Sequence, residues 1–230
     1  MKLLTPCCAF ATVAIVLAVA GIRADEADIR VDQLPKAVVE AVKAKYPDAK
    51  LVAAEKETQG DKTFYEVMIK SGGRDVEPLL TPDGKFVSIE QKIDAKDLPK
   101  PVAAAIEKKF PKSTTKAAEE TIKDGKSTYT VLLETELLID KEKQKVQVQL
   151  TADGTITAWQ KRIAVKELPG PAAATLEQKY SGAKIVRANE TVRDSKTTYL
   201  AILDSADKTI LAELDGDGKI VKESTRPKKK

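Results

Sequence analysis

The residues of this 230-residue chain whose types and spacing could support chemistry are two acidic pairs. Glu119 and Glu120 are adjacent, and neighbouring carboxylates can act as acid and base when their environments separate their pKa values. Asp215 and Asp217 stand two apart in LDGDGKI, as at the start of an EF-hand calcium loop. That loop needs its glycine at position six and a glutamate at position twelve, whereas here Gly218 falls at position four and position twelve is not a glutamate. We therefore expect a solvated strand or turn at the first pair and an ordinary β-turn at the second.

The other residue types that commonly carry catalysis are missing. The chain has no histidine, and its two cysteines, Cys7 and Cys8, precede an N-terminal apolar run. Neither a GxSxG nucleophile motif nor a GxxxxGK phosphate-binding loop occurs. The sequence therefore predicts a protein that is not an enzyme and that holds no metal and no cofactor.

The N-terminus has the pattern of a secretory signal peptide. A basic start, Met1-Lys2, precedes an apolar run from about Ala9 to Ala20, too short for a comfortable membrane span. Cleavage before Gly21 and cleavage before Asp25 both fit the sequence, and we take residues 1–24 as the signal peptide. This predicts a periplasmic or secreted protein with no transmembrane segment after removal of the signal.

Charge argues against a nucleic-acid partner. The 39 basic residues nearly balance the 35 acidic ones, so the surface is highly charged but close to neutral. Part of the basic excess lies in the C-terminal RPKKK, residues 226–230, which we interpret as a solubilising tail.

One amphipathic phrase occurs three times. It reads LPKAVVEAVKAKYPDAK, LPKPVAAAIEKKFPKST and LPGPAAATLEQKYSGAK, at residues 34–50, 98–114 and 168–184. Each copy is followed by a strand-like segment with a tyrosine (Tyr65, Tyr129, Tyr199) and later by an Asp-Gly turn at residues 83–84, 153–154 and 217–218. The second copy has six extra residues, in ETELLIDKEKQK, which predict a longer hairpin.

The periodicity of each copy predicts one helix and then strands. Leu34, Val38, Val42 and Tyr46 form one apolar stripe at helical spacing, and alternation follows in TFYEVMI. The fold class is therefore α+β, with three tandem repeats that each pack one helix on a four-stranded antiparallel sheet (αββββ). The predicted boundaries are residues 28–94, 95–164 and 165–225. Because each unit has a thin core, we expect neighbouring units to support each other.

The motifs KYPDAK, YEV and PDGKFVSI resemble the PepSY-like family, which is related to the β-lactamase-inhibitor-protein fold. The first copy matches best, over residues 34–93. The second keeps KFP, YTV and ADG, while the third keeps KY and GDG but lacks the proline after its aromatic residue. The resemblance implies an exported bacterial protein that acts as an inhibitor or binding module, and it supplies no catalytic residues.

In each predicted sheet, the strand residues that alternate with the tyrosine point to the opposite face. That face is unusually apolar for a surface exposed to solvent. We also expect Trp159 to be accessible beside it, because the third copy has Glu223 at the same position. The hypothetical partner-binding residues are Phe64, Met68, Leu132, Trp159, Leu200 and Ile202. Alternatively, these residues fill contacts between repeats, or Trp159 covers the base of the longer hairpin.

These observations favour an exported, non-enzymatic binding module, inhibitor-like by resemblance, that docks another exported protein or enzyme on the exposed sheet face. Two alternatives stay open. One is a structural, envelope-associated protein without a specific ligand, which uses its charged face and basic tail near anionic polymers. The other is a sensor of a small molecule or peptide. The sequence leaves the oligomeric state undetermined.

Overall fold

The computed structural model describes residues 25–228, and the predicted signal peptide lies outside them. Within this range the fold is α+β, with three α-helices, each preceded by a short 3-10 helix, and one antiparallel sheet of 13 strands whose order follows the chain. The helices are α1 (Lys36–Lys45), α2 (Lys100–Lys109) and α3 (Gly170–Lys179). The strands are β1 (Asp25–Ile29), β2 (Lys50–Gln59), β3 (Lys62–Ser71), β4 (Arg74–Leu80), β5 (Phe86–Ile93), β6 (Thr114–Lys123), β7 (Lys126–Ile139), β8 (Glu142–Thr151), β9 (Ile156–Ile163), β10 (Lys184–Arg193), β11 (Lys196–Asp204), β12 (Lys208–Asp215) and β13 (Ile220–Pro227).

The helices form where the amphipathic phrase predicts them. In α1, Val38 and Val42 are fully buried, whereas Lys36 is exposed. The proline of LP immediately precedes the helix, because Pro35 is the N-cap residue. The helix ends when the Tyr46 N–H donates to the Val42 carbonyl at 2.8 Å, just before Pro47.

All three helices cover the same face of the sheet. Ile69 packs in the core under α1, and successive cross-strand partners lead from it through Val76, Gln91 and Glu120 to Tyr129, which packs under α2. Directly paired residues in an antiparallel sheet point to the same side. The core under α3 is joined in the same way, because Ile163 pairs with Ala188 and both are buried in it.

Neighbouring units share one sheet and do not form the separate four-stranded sheets that we expected. β5 pairs with β6, and β9 pairs with β10. Ile93 at the end of β5 packs in the core under α2, and Ile163 at the end of β9 packs in the core under α3. At the start of the described chain, β1 plays this role with Ile29, which packs in the core under α1. The sequence analysis did not predict β1. Its role before α1 is the same as that of β5 before α2 and of β9 before α3.

The six extra residues of the second unit lie in the β7–β8 hairpin. β7 has 14 residues, whereas β3 has 10 and β11 has 9. The hairpin turns at Asp140 and Lys141, which both have positive φ, as a type I′ turn requires. Arg162 of β9 holds the tip, with ion pairs of 2.8 Å to Asp140 and to Glu142.

The last strand, β13, differs from its counterparts β5 and β9. Pro227 stands where Ile93 and Ile163 enter the next core, and Glu223 stands where the other two strands have Ile89 and Trp159. Glu223 forms an ion pair of 2.6 Å with Lys179. β13 continues to Pro227, two residues into the segment that the sequence analysis assigns to the basic tail; residues 229–230 lie outside the described range.

Three glycines allow each Asp-Gly turn to lie against the start of a helix. Gly84, Gly154 and Gly218 all have φ between +83° and +86°. A Cβ on Gly154 would lie 2.5 Å from the Pro101 carbonyl oxygen, and Cβ atoms on the other two would lie 2.6 and 2.5 Å from the equivalent oxygens of Ala37 and Pro171. The turn thus fixes the height of each helix above the sheet.

We predict that Gly154→Ala lowers the free energy of unfolding by about 3 kcal/mol, because it adds a steric clash to the strain of a positive φ. The matched control is Gly125→Ala, which also has positive φ but has nothing within 4 Å of the new Cβ. That variant should lose only about 1–2 kcal/mol. Chemical denaturation of the two variants and the wild type checks this, and equal losses would contradict the proposed helix contact.

Candidate functional site

The sheet has one face covered by helices and one face without them, which we call the open face. Along each strand, side chains alternate between the two faces. Five of the six predicted partner-binding residues lie on the open face, each partly buried between its neighbours. These five are Phe64, Met68, Leu132, Leu200 and Ile202.

Trp159 does not lie with the other five, and this part of the prediction is wrong. It pairs with Val148, whose side chain is fully buried under α2, so the indole points to the helix-covered face. There its ring meets Phe110 edge-on, with 6.2 Å between ring centroids. Lys109 and Lys161 lie over the ring at 5.8 and 5.3 Å from its centroid. Trp159 is therefore a packing residue of the second unit.

The adjacent pair Glu119 and Glu120 cannot act together, because neighbours on a strand point to opposite faces. Glu119 lies on the open face, whereas Glu120 accepts hydrogen bonds on the helix-covered face from Gln91 at 2.6 Å and from the Tyr129 hydroxyl at 3.1 Å. Although burial opposes it, hydrogen bonds from Ser127, Gln91 and Tyr129 hold the pKa of Glu120 below its ordinary value.

The second acidic pair caps a turn. The Asp215 carboxylate accepts the backbone N–H groups of Asp217 at 3.1 Å and Lys219 at 2.9 Å. This is the local hydrogen bonding that aspartate provides in turns. Between residues 25 and 228, no group of three or more His, Cys, Asp or Glu side chains is arranged to hold a metal ion.

The first part of the open face is strongly acidic. We call this surface the acidic region; it extends over β1 to β6. Carboxylates face each other directly across strands, as Asp28 does with Glu55, and Glu55 with Glu66. The acidic region comprises Glu26, Asp28, Glu55, Glu57, Glu66, Glu77, Glu90 and Glu119.

The crowding of these carboxylates changes their titration. Burial, followed by repulsion from Glu77, Glu57, Glu55 and Glu90, raises the pKa of Glu66 to about 8. Burial and the Glu90 carboxylate likewise raise the pKa of Glu119. Like charges placed opposite each other destabilise a sheet, so this region weakens the fold at neutral pH.

The later part of the open face has a different character. A groove of about 690 Å³ lies beside the β7–β8 hairpin and crosses β8, β9 and β10. Its lining includes the cationic side chains of Lys145, Arg162 and Arg187 and the amides of Gln147 and Asn189. Leu132, one of the predicted residues, also lines it, and Leu200 and Ile202 pair directly with Asn189 and Arg187.

Sequence reasoning missed both the acidic region and the groove. The acidic region had a usable signal, because Glu55 and Glu57 share a strand face and Glu66 lies in the next strand. The sequence signal for the groove was weaker, because the groove residues come from four strands, and the sequence does not give the pairing register of those strands. The six-residue insertion was the only indication that this part of the sheet differs.

The arrangement defines a class: a repetitive α+β protein with one bare sheet face. Residues 21–88 and 80–156 match the family described as putative beta-lactamase-inhibitor-like, PepSY-like. The chain therefore belongs to this family, and the resemblance noted in the sequence is confirmed. Residues beyond 156 lie outside the match.

Three solved structures illustrate the similarity. A BLIP-like protein from Bacteroides fragilis is 18% identical, with a TM-score of 0.41, over 53% of this chain and 81% of that chain. A putative periplasmic protein from Bacteroides eggerthii is 19% identical, with a TM-score of 0.46, over 55% and 88%. The YpeB C-terminal domain of Bacillus megaterium is 12% identical, with a TM-score of 0.25, over 86% and 98%. No curated protein matches the chain.

None of the helices within residues 25–228 is long and apolar enough to cross a lipid bilayer.

We predict that the acidic region makes the protein less stable as the pH rises. The folded state holds a proton on Glu66 up to about pH 8, whereas an ordinary glutamate loses it near pH 4.5. The folded state therefore binds more protons in this window, and the free energy of unfolding falls between these pH values. One pKa unit corresponds to about 1.4 kcal/mol, and after allowance for solvent screening we expect Glu66 to account for about 1–2 kcal/mol.

Urea denaturation at pH 6 and pH 9 tests this, with Glu66→Gln as the variant. The variant should lose less stability than the wild type between the two pH values. The matched control, Glu107→Gln on the exposed side of α2, should follow the wild type. If Glu66→Gln has the same pH dependence as the control, the carboxylates of the acidic region do not repel each other as described.

Proposed function

We propose that this protein is an exported, non-enzymatic binding module that docks a protein partner on the open face of its sheet. The observation that carries the proposal is the one-sided cover of the sheet. Helices bury one face, while the other face keeps partly buried apolar side chains between charged ones. Mixed surfaces of this kind are typical of interfaces that form and separate.

The contact is centred on Leu132, Leu200 and Ile202. These side chains border the groove, where the walls give a partner more surface than a flat strand. Phe64 and Met68 lie at the other end, within the acidic region. A partner that covered both ends would have to match two surfaces of different charge. We therefore take the three residues at the groove as the primary contact.

The proposal includes a third repeat of the same family unit at residues 165–225. Support comes from irregularities that recur at equivalent positions. The second, sixth and tenth strands each have a bulge, between residues 51 and 53, 115 and 117, and 185 and 187. The contact of Gly218 with Pro171 also repeats those of Gly84 and Gly154.

Export is supported by the N-terminal sequence, with its basic start and apolar run, and by the absence of cysteine after Cys8. The family's description as beta-lactamase-inhibitor-like makes an exported enzyme a candidate partner. We propose steric docking, in which the open face covers a surface of the partner and performs no reaction on it.

The test is affinity capture of envelope proteins from the source organism on immobilised protein, followed by mass spectrometry. We predict that Leu200→Ala/Ile202→Ala reduces capture of a specific partner about tenfold or more, because buried interface side chains contribute over about 1 kcal/mol each. The matched control is Val52→Ala/Val221→Ala, which truncates two aliphatic residues that are exposed elsewhere, at 55% and 59%.

Salt distinguishes the proposal from an envelope protein that associates only through charge. Docking on apolar side chains should persist in 0.5 M NaCl, whereas association through exposed charges should disappear because screening shortens their range to a few ångströms. Capture that vanishes in salt, or that is equal for both double variants, would refute docking on the open face.

A further inference from the structure

The groove beside the β7–β8 hairpin has features that suggest the chemistry of what it binds. We propose that it accepts an extended acidic segment of the partner protein, whose carboxylates contact Lys145 and Arg187. This inference rests on the proposed function, since it names the part of the partner that the open face recognises. It goes beyond that function by assigning the segment a charge and two specific contacts.

Lys145 and Arg187 are available for such a contact. Both side chains are exposed and line the groove. Between residues 25 and 228, neither side chain has a hydrogen bond or an ion pair. The other groove cations on the open face are already engaged: Arg162 with Asp140 and Glu142, and Lys143 with Glu134 at 3.3 Å.

The acidic side chains of the groove do not cancel this charge. Glu134 forms ion pairs of 3.3 Å with both Lys116 and Lys143. Glu142 is held by Arg162 at 2.8 Å. Each groove carboxylate therefore already pairs with a cation other than Lys145 and Arg187. Glu134 stands opposite Lys145 on the neighbouring strand, but its ion pairs are with Lys116 and Lys143, so Lys145 and Arg187 are left without an ion pair.

The spacing of the two cations suits an extended chain. Lys145 on β8 and Arg187 on β10 lie on the open face, with β9 between them. Along the strand direction they are offset by two residues, which is one side-chain position on that face. Their Cα atoms are therefore roughly 12 Å apart, from the standard spacing of strands and residues. Side chains on one side of an extended peptide recur about every 6.6–6.8 Å, so carboxylates four residues apart can reach both cations.

The floor of the groove fits a peptide backbone. Gln147 pairs across strands with Gln160 and with Leu132, and Arg162 pairs with Asn189. The amides of Gln160 and Asn189 can donate to and accept from a peptide, and Leu132 adds an apolar contact. A peptide is favoured over a small anion because a groove of about 690 Å³ leaves most of a small anion in water.

The acidic region restricts where such a segment can lie. Its eight carboxylates occupy the same face on β1 to β6, and they repel an acidic chain. An acidic segment is therefore directed to the groove and away from Phe64 and Met68. The insertion in the second unit supplies the wall of the groove, which gives the six extra residues a role.

The experiment measures binding of a fluorescein-labelled peptide, (Glu-Ala)₄, to the full protein by fluorescence anisotropy. The labelled neutral peptide (Gln-Ala)₄ is the reference ligand. We predict saturable binding of (Glu-Ala)₄ at low ionic strength, and at least a tenfold increase in Kd for Lys145→Glu/Arg187→Glu. The matched control, Lys43→Glu/Lys108→Glu, reverses two exposed cations on the helices and should change Kd by less than twofold.

A neutral variant keeps the test decisive if charge reversal disturbs the fold. Lys145→Gln/Arg187→Gln should raise Kd by a smaller factor than the reversal does, with an unchanged circular dichroism spectrum. The proposal is overturned if (Glu-Ala)₄ binds no better than (Gln-Ala)₄, or if the helix control loses as much affinity as the groove variant. Tighter binding of oligogalacturonate than of (Glu-Ala)₄ would also overturn it, since the ligand would then be an acidic polysaccharide.

The outcomes separate this inference from the proposed function. Leu200→Ala/Ile202→Ala should lose partner capture but bind (Glu-Ala)₄ within threefold of the wild type, because the peptide has no large apolar side chain. If partner capture depends on Leu200 and Ile202 but not on Lys145 and Arg187, docking stands and the acidic segment is refuted. If peptide binding follows the two cations but capture follows neither pair, the groove stands and docking is refuted.

Discussion

The strands at the unit boundaries belong to two units at once, and the rest of the architecture depends on this sharing. β5 completes the sheet under α1 and then sends Ile93 into the core under α2. β9 does the same for the next boundary with Ile163. The shared strands place their core residues on one side of the continuous sheet, so all three α-helices lie there and the opposite face is one connected surface. A protein built from independent domains would have no such surface.

The open face is not optimised for stability. Eight carboxylates crowd onto adjoining strands, and burial and mutual repulsion raise the pKa of Glu66. Sequences usually depart from favourable local choices at sites that serve a purpose other than folding. The charge also changes along the face, from acidic over the first six strands to cationic beside the long hairpin. In protein interfaces, an asymmetric charge distribution of this kind fixes the position and the orientation of the bound protein.

The sequence predicts the parts of this fold that depend on local patterns. The stripe of Leu34, Val38 and Val42 gives the helix, and the alternation around Tyr65 gives the face of β3. It could not give the register between units, which decides that Ile93 and Ile163 are shared. Trp159 was misjudged because Glu223 occupies the equivalent position; there the glutamate forms an ion pair with Lys179 of α3, whereas Trp159 packs against Phe110. The groove was missed because it exists only after β7 to β10 are paired.

Pro227 has a consequence for the molecule as a whole. If the final strand resembled β9, its outer edge would present unpaired backbone N–H and C=O groups and a protruding isoleucine. Another molecule could then add a strand to this edge. Proline cannot donate a backbone hydrogen bond, and the charged side chains of β13 discourage pairing there. The outer edge of β13 is therefore a poor template for the pairing of a further strand.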